Sequence, residues 1–203
     1  MNSAALESLD ELAPGQQALI LAGLKLFADK GFAAASVRDL AAEAGVSLGL
    51  VRAHFGSKAG LRRAVDRHAL NAVRELYDTV LESESPVSLD SAVRVAVGWV
   101  EKNRGVMTYV RTALFERTAG SQALFDQLFR TMRHFVDAAA DRGSLQAGVD
   151  RDMAAIYLIY DFVGPALLAP FVGKIYDKAP FHSTSVARRN EFFSRLFTRG
   201  IFK

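Results

Sequence analysis

The chain has 203 residues, half of them hydrophobic and 23% charged, with 15 Gly and 5 Pro, a composition that excludes disordered, collagen-like and low-complexity classes. A chain of this length can bury roughly 70% of its unfolded surface, so one or two domains need no staple, and the absence of cysteine excludes disulfides, thiolate nucleophiles, Fe–S clusters and Cys-based zinc sites. Lys and Arg number 25 against 22 Asp and Glu, a balance of +3 that proves no anionic partner, so the placement of charge matters more than its sum.

Residues 1–13 read as a loose acidic leader with Glu7, Asp10 and Glu11, lacking the basic-then-apolar pattern of a signal peptide. From Gln16 to Lys30 the apolar positions Leu19, Ile20, Gly23, Leu24, Phe27 and Ala28 recur at three and four residues, which predicts a helix stopped at Gly31. Ser36 can cap a short helix over Val37–Ala44 that ends at Gly45, and Ser47 can cap another over Leu48–Ala53. Ser57 caps a long helix that ends in the linker-like stretch Glu82-Ser-Glu-Ser-Pro86.

Further helices are expected from Ser88 to about Asn103, from Val106 to Arg117, from Ser121 to Asp141, from Asp150 to about Val172, and from Val186 to Ile201. The apolar stretch Met153–Gly173 is divided by Asp161 and interrupted by Pro165 and Pro170, so it reads as a buried helix hairpin and not a membrane span. No alternating run bounded by hairpin turns is present, and the expected class is all-α.

Chemistry concentrates between Ser36 and Phe55. Two helices too short to be stable alone are joined by a tight turn at Gly45, the composition of a helix-turn-helix with Leu40, Ala41, Val46 and Val51 facing inward. Residues 44–65 hold Arg52, Lys58, Arg62 and Arg63 and no acid, so phosphate is the natural counter-charge. The stretch Gly45-Val-Ser47-Leu-Gly49 also matches the G-x-S-x-G of serine hydrolases, with Asp66 and His68 following, but that mechanism needs a strand before the serine where a helix is expected. His54, His68, His134 and His182 show no metal-binding spacing, and neither a metal nor a cofactor is expected.

The sequence resembles the TetR family of transcriptional regulators over residues 16–65, through Ala22-Gly-Leu-Lys-Leu-Phe27, Lys30-Gly-Phe32, Ser36-Val-Arg-Asp-Leu-Ala41, Ala44-Gly-Val-Ser47 and His54-Phe-Gly-Ser-Lys58. The resemblance implies a three-helix DNA-binding head over 14–60, a helical effector-binding and dimerisation body over 61–203, and a cytoplasmic homodimer on a palindromic double-stranded operator. It places Ser36, Val37, Arg38, Ser47, Leu48, Gly49, Leu50, Arg52, His54, Phe55 and Lys58 at the DNA. Ser36 and Lys58 look like phosphate contacts at helix N-termini. Leu48 and Leu50 can reach only thymine methyls or sugars, and Leu50 and His54 also suit helix packing. Two departures stand out: Arg52 occupies the position of the family's usual phosphate-binding tyrosine, and Gln16 and Gln17 stand where a basic residue usually precedes the first helix.

In the body the resemblance implies an effector cavity. Aromatic residues with a polar handle, Trp99, Tyr109 and Tyr160, and their polar neighbours Arg111 and His134 are the lining candidates. Phe192, Phe193, Leu196 and Phe197 form one apolar stripe expected at a dimer interface, and Asp161 is either a partnered charge at that seam or a pocket acid. The expected activity is a repressor released from its operator by a small hydrophobic or amphipathic effector; the alternative is a regulator under a protein partner or an activator.

Overall fold

The computed structural model describes residues 9–83, 89–172, 175 and 182–197. After a 3-10 turn at Leu9–Glu11, the helices are α1 (Pro14–Ala34), α2 (Val37–Glu43), α3 (Leu48–Phe55), α4 (Lys58–Ser83), α5 (Leu89–Lys102), α6 (Arg104–Phe115), α7 (Ala119–Asp141), α8 (Arg151–Val172) and α9 (Ser183–Phe197). The all-α expectation holds, and no β-strand occurs among the described residues. Helix ends follow local chemistry. Pro14 opens α1 at a position where a missing N–H costs nothing, and α3 runs on to Phe55 because Gly56, at φ +72°, is the first residue to leave the helical region.

The chain gathers into two compact units. The first takes the chain up to Ala72 together with Thr108–Leu124; the second takes Val73–Met107 and the chain from Phe125 onward. The division expected at residue 60 falls at the start of α4, inside the first unit.

In the first unit Leu19, Ile20, Gly23, Phe27 and Ala28 of α1 are buried as their spacing predicts, and Leu24 is half-buried. Leu40, Ala41 and Val51 are buried as expected for the inward face of α2 and α3, while Val46 is half-buried. Leu61 and Val65 of α4 complete this core. Each buried Leu, Ile, Val or Phe among them contributes about 1.5–3 kcal/mol, which holds together helices too short to persist alone.

The second unit is built around Leu128, Met132 and Val136 of α7 and Ala155 and Ile159 of α8, with α5 packed along α9. Ring contacts pair Tyr77 with Phe135 at 4.8 Å and Trp99 with Phe162 at 5.9 Å. An ion network ties the start of α8 to α7: Arg133 meets Asp152 at 2.6 Å and Arg151 meets Asp137 at 2.8 Å.

The hairpin expected within Met153–Gly173 is not formed. One helix runs from Arg151 through Pro165 and Pro170 to Val172, and it is not mostly buried: Met153, Tyr157, Tyr160, Leu167, Leu168 and Phe171 are exposed. A proline removes one N–H from the helical ladder, and the helix continues past both. By length and composition alone, α8 is apolar enough to cross a membrane.

Candidate nucleic-acid interface

The turn between α2 and α3 is fixed by its hydrogen bonds. Val46 N–H donates to Ala41 O at 3.0 Å and Gly45 N–H to Ala42 O at 3.2 Å, with Gly45 at φ +65°. This is the Schellman arrangement, which needs a left-handed residue where glycine stands and turns the chain sharply into Ser47. At the start of α2, Ser36 Oγ accepts from Asp39 N–H and Asp39 Oδ2 accepts from Ser36 N–H, both at 3.1 Å, a reciprocal cap. The bonds from Ser36 hold the Asp39 carboxyl below its ordinary range. Ser57 opens α4 with a one-sided cap, its Oγ accepting from Gly60 N–H at 3.0 Å.

These caps bring one charged surface together. Ser36, Arg38, Ser47, Leu48, Gly49 and Arg52 are exposed, and Val37, Leu50, His54, Phe55 and Lys58 are half-buried. Leu50 Cδ1 and His54 Nε2 lie 3.9 and 3.8 Å from where a Cβ on Gly15 would stand, so both lean on the start of α1. Lys58 Nζ donates to Ala33 O at 3.3 Å and stands 4.5 Å from the Phe32 ring centroid, which ties the first residue of α4 to the end of α1. Arg38, Arg52 and Arg63 present exposed guanidinium groups. Two exposed arginines, Arg38 in the first turn of α2 and Arg52 in the last turn of α3, suit a phosphate backbone on either side of an inserted helix.

Arg62, counted in the basic run, does not join this surface. It is 6% exposed, and its Nη1 donates to Glu116 Oε2 at 2.5 Å. The other Glu116 oxygen accepts from Phe32 N–H. One turn along α4, Asp66 accepts from the Tyr109 hydroxyl at 2.5 Å, and Thr112 Oγ1 donates to Ala28 O at 3.0 Å. Burial raises the Asp66 carboxyl above its ordinary value, with the Tyr109 bond and Arg62 pulling the other way. Burial, then the neighbouring Asp66 charge, raises the Tyr109 phenol well above its own. Glu116 carried no sequence signal, because only the fold brings it to Arg62.

The body candidates are dispersed. Tyr109 and Arg111 belong to the first unit, where Tyr109 is spent on Asp66; Trp99 is half-buried against Phe162; His134 is exposed; Tyr160 is 62% exposed. Phe192 is 62% exposed on α9, while the side chains of Phe193, Leu196 and Phe197 lie outside the described residues. Asp161 Oδ1 is buried without a hydrogen-bond partner, and burial raises this carboxyl while Arg189 lowers it. Ser47 follows a helix and a turn, not a strand, and the described residues contain no cluster of three metal-binding side chains.

Comparison with known proteins agrees with this arrangement. Residues 19–65 match the family model for bacterial regulatory proteins of the tetR family. The chain is 26% identical over 147 residues to the HTH-type transcriptional regulatory protein RaaS of Mycobacterium tuberculosis, covering 72% of this chain and 67% of that one. It is 42% identical over 72 residues to the HTH-type transcriptional repressor Rv3405c of the same organism, a match spanning 36% of either chain. Among solved structures, SmeT, the repressor of the Stenotrophomonas maltophilia multidrug efflux pump SmeDEF, is similar with a TM-score of 0.66 at 19% identity, over 94% of this chain and 93% of that one. A TetR transcriptional regulator from Chloroflexus aurantiacus gives 0.65 at 19% identity, over 93% and 96%.

Proposed function

We propose that this chain, a TetR-family DNA-binding transcriptional regulator, acts as a homodimeric repressor that leaves its operator when a small hydrophobic or amphipathic molecule binds the second unit. The observation that carries the dimer is the exposed face of α8. Met153, Tyr157, Tyr160, Leu167 and Phe171 recur at intervals of four and three residues around Gly164, where a Cβ would meet nothing within 4 Å. A stripe of this length, with Phe171 76% exposed, is too apolar to leave in water and suits a second copy of the same helix. Phe192 on α9 supports the same reading, extended to Phe193, Leu196 and Phe197 by the sequence pattern. A two-fold pair of heads calls for a palindromic site with half-sites one helical turn or more apart.

Effector control is supported by the interior of the second unit, where the pairs Trp99–Phe162 and Tyr77–Phe135 offer ring surface and Asp161 Oδ1 offers an unspent acceptor. SmeT, a repressor of similar fold, has been solved with triclosan. The effector binds one conformation of the dimer better and shifts the population away from the one whose heads fit adjacent grooves. The site of action is the DNA-containing cytoplasm.

The decisive experiment is sedimentation at micromolar concentration for the parent and for Phe171→Glu with Phe192→Glu, alongside binding to a duplex selected by the protein from a randomised pool. The parent sediments as a dimer and binds; the double variant loses both. A parent that binds as a stable monomer overturns the proposal. Effector control is tested by ligand screening: a molecule that raises the melting temperature also weakens duplex binding.

A further inference from the structure

The first turn of α3 carries three residues whose chemistry the fold does not use. Ser47 is the N-cap of α3, yet its side chain makes no cap hydrogen bond, unlike those of Ser36 and Ser57. Leu48 is 56% exposed, while Leu40 and Val51 nearby are buried. Gly49 is exposed, a Cβ there would meet no heavy atom within 4 Å, and its φ is not in the left-handed region.

An isolated head would favour the opposite choices. Serine caps ordinarily accept from the first turn. Leucine gains nothing in water, and glycine weakens a helix relative to alanine through the entropy it loses. At Gly60 a Cβ would lie 1.9 Å from Phe55 O, so the chain itself demands glycine there. At Gly49 nothing in the chain does.

We infer that Leu48 and Gly49 form one specificity-determining element, in which the bare backbone at Gly49 comes against the major-groove edge of an A·T pair and Leu48 packs on the thymine 5-methyl. The inference rests on α3 being the groove-entering helix. Thymine's methyl is the one apolar group a major-groove edge displays, so an exposed isobutyl group at the tip of α3 has a single complementary partner there. A methyl at position 49 would stand between the helix and that edge. The unspent Ser47 hydroxyl can donate to or accept from the neighbouring edge. Arg52, one turn beyond Leu48 on the same side of α3, is exposed and suited to the flanking backbone. Each half-site therefore requires thymine at one fixed position.

The test uses the full chain and a duplex selected by the protein from a randomised pool. Gly49→Ala raises the melting temperature by about 1–3 °C while weakening duplex binding by roughly tenfold or more, opposite signs that a purely structural residue does not give. Replacing thymidine by deoxyuridine, one position at a time, weakens binding roughly fourfold at one position per half-site with the parent chain. The same replacement has no effect with Leu48→Ala. Unchanged binding by Gly49→Ala overturns the close approach, and a flat uridine scan, or one equal for both chains, overturns the methyl contact. Lys58→Ala is measured alongside. If it weakens binding while Gly49→Ala does not, the inference fails and DNA binding by the head stands; if neither has an effect, this face is not the DNA interface.

Discussion

Arg62 Nη1 meets Glu116 Oε2 at 2.5 Å across 54 residues of sequence, and the arginine is 6% exposed. The same carboxylate accepts from Phe32 N–H, so one side chain of the 108–124 segment holds both the end of α1 and the second turn of α4. Taking an ion pair out of water is expensive, and its members tolerate loss of the partner poorly.

Glu116→Ala therefore leaves the buried Arg62 guanidinium with only the more distant Asp66 carboxyl, 4.0 Å away, and destabilises the protein by about 3–5 kcal/mol. Arg62→Met combined with Glu116→Leu recovers at least half of that loss, because both charges of the pair go together and Asp66, already raised by burial and bonded to the Tyr109 hydroxyl, takes up a proton. Urea denaturation of the two single variants and the double variant gives the coupling. Additive losses, with no recovery, would show that the pair contributes packing and not charge compensation.

Arg52 and Lys58 are expected to act on phosphate. Arg52→Ala weakens the selected duplex and a scrambled one alike and flattens the plot of log affinity against log salt by roughly one unit per half-site. Lys58→Ala behaves in the same way. A loss confined to the selected duplex, of about 1–3 kcal/mol, would instead place Arg52 on a guanine edge. Titrations at several salt concentrations separate the two.

Gly60 sits beneath the Phe55 carbonyl, where a Cβ would lie 1.9 Å from the oxygen. That atom is backbone and cannot swing aside, so Gly60→Ala must shift α3 against α4. The expected loss is about 1–3 kcal/mol or more, and duplex affinity falls with it. A thermal melt and one binding isotherm suffice, and a variant melting with the parent would show that the junction yields without cost.

Asp161 gives a pH signature. Burial raises its carboxyl above the unfolded value, so the folded state takes up this proton more readily than the unfolded chain. Its contribution is most favourable in acid and is lost as pH rises through the folded value. Asp161→Asn is accordingly more stable than the parent at pH 7, and the gap closes as the pH falls toward the ordinary carboxylate range. Melting temperatures across pH 4–8 check this; a gap that widens in acid would mean that the carboxylate is held charged by Arg189.

The head was legible because its signals are local. Caps at Ser36 and Ser57, the glycine at 45 and three- and four-residue spacing act within a turn or two, and α1 to α4 fall within a few residues of their expected limits. The charge reading was less complete: a basic run says nothing about which cation turns inward, and the acid that claims Arg62 lies far along the chain. Tyr109 shows the same limit, since its polar handle suited a ligand but is spent on Asp66. In α8 the two prolines suggested a break, whereas the helix runs through them.

The chain has a single tryptophan, Trp99, half-buried on α5 with its ring 5.9 Å from Phe162. The first unit holds no tryptophan, and Tyr109 is its one tyrosine. Emission excited at the red edge of indole absorption therefore reports the second unit alone, while far-ultraviolet dichroism reports helices in both. Overlaid unfolding curves from the two signals reveal, without any label, whether the first unit and its companion melt as one cooperative body or in two steps.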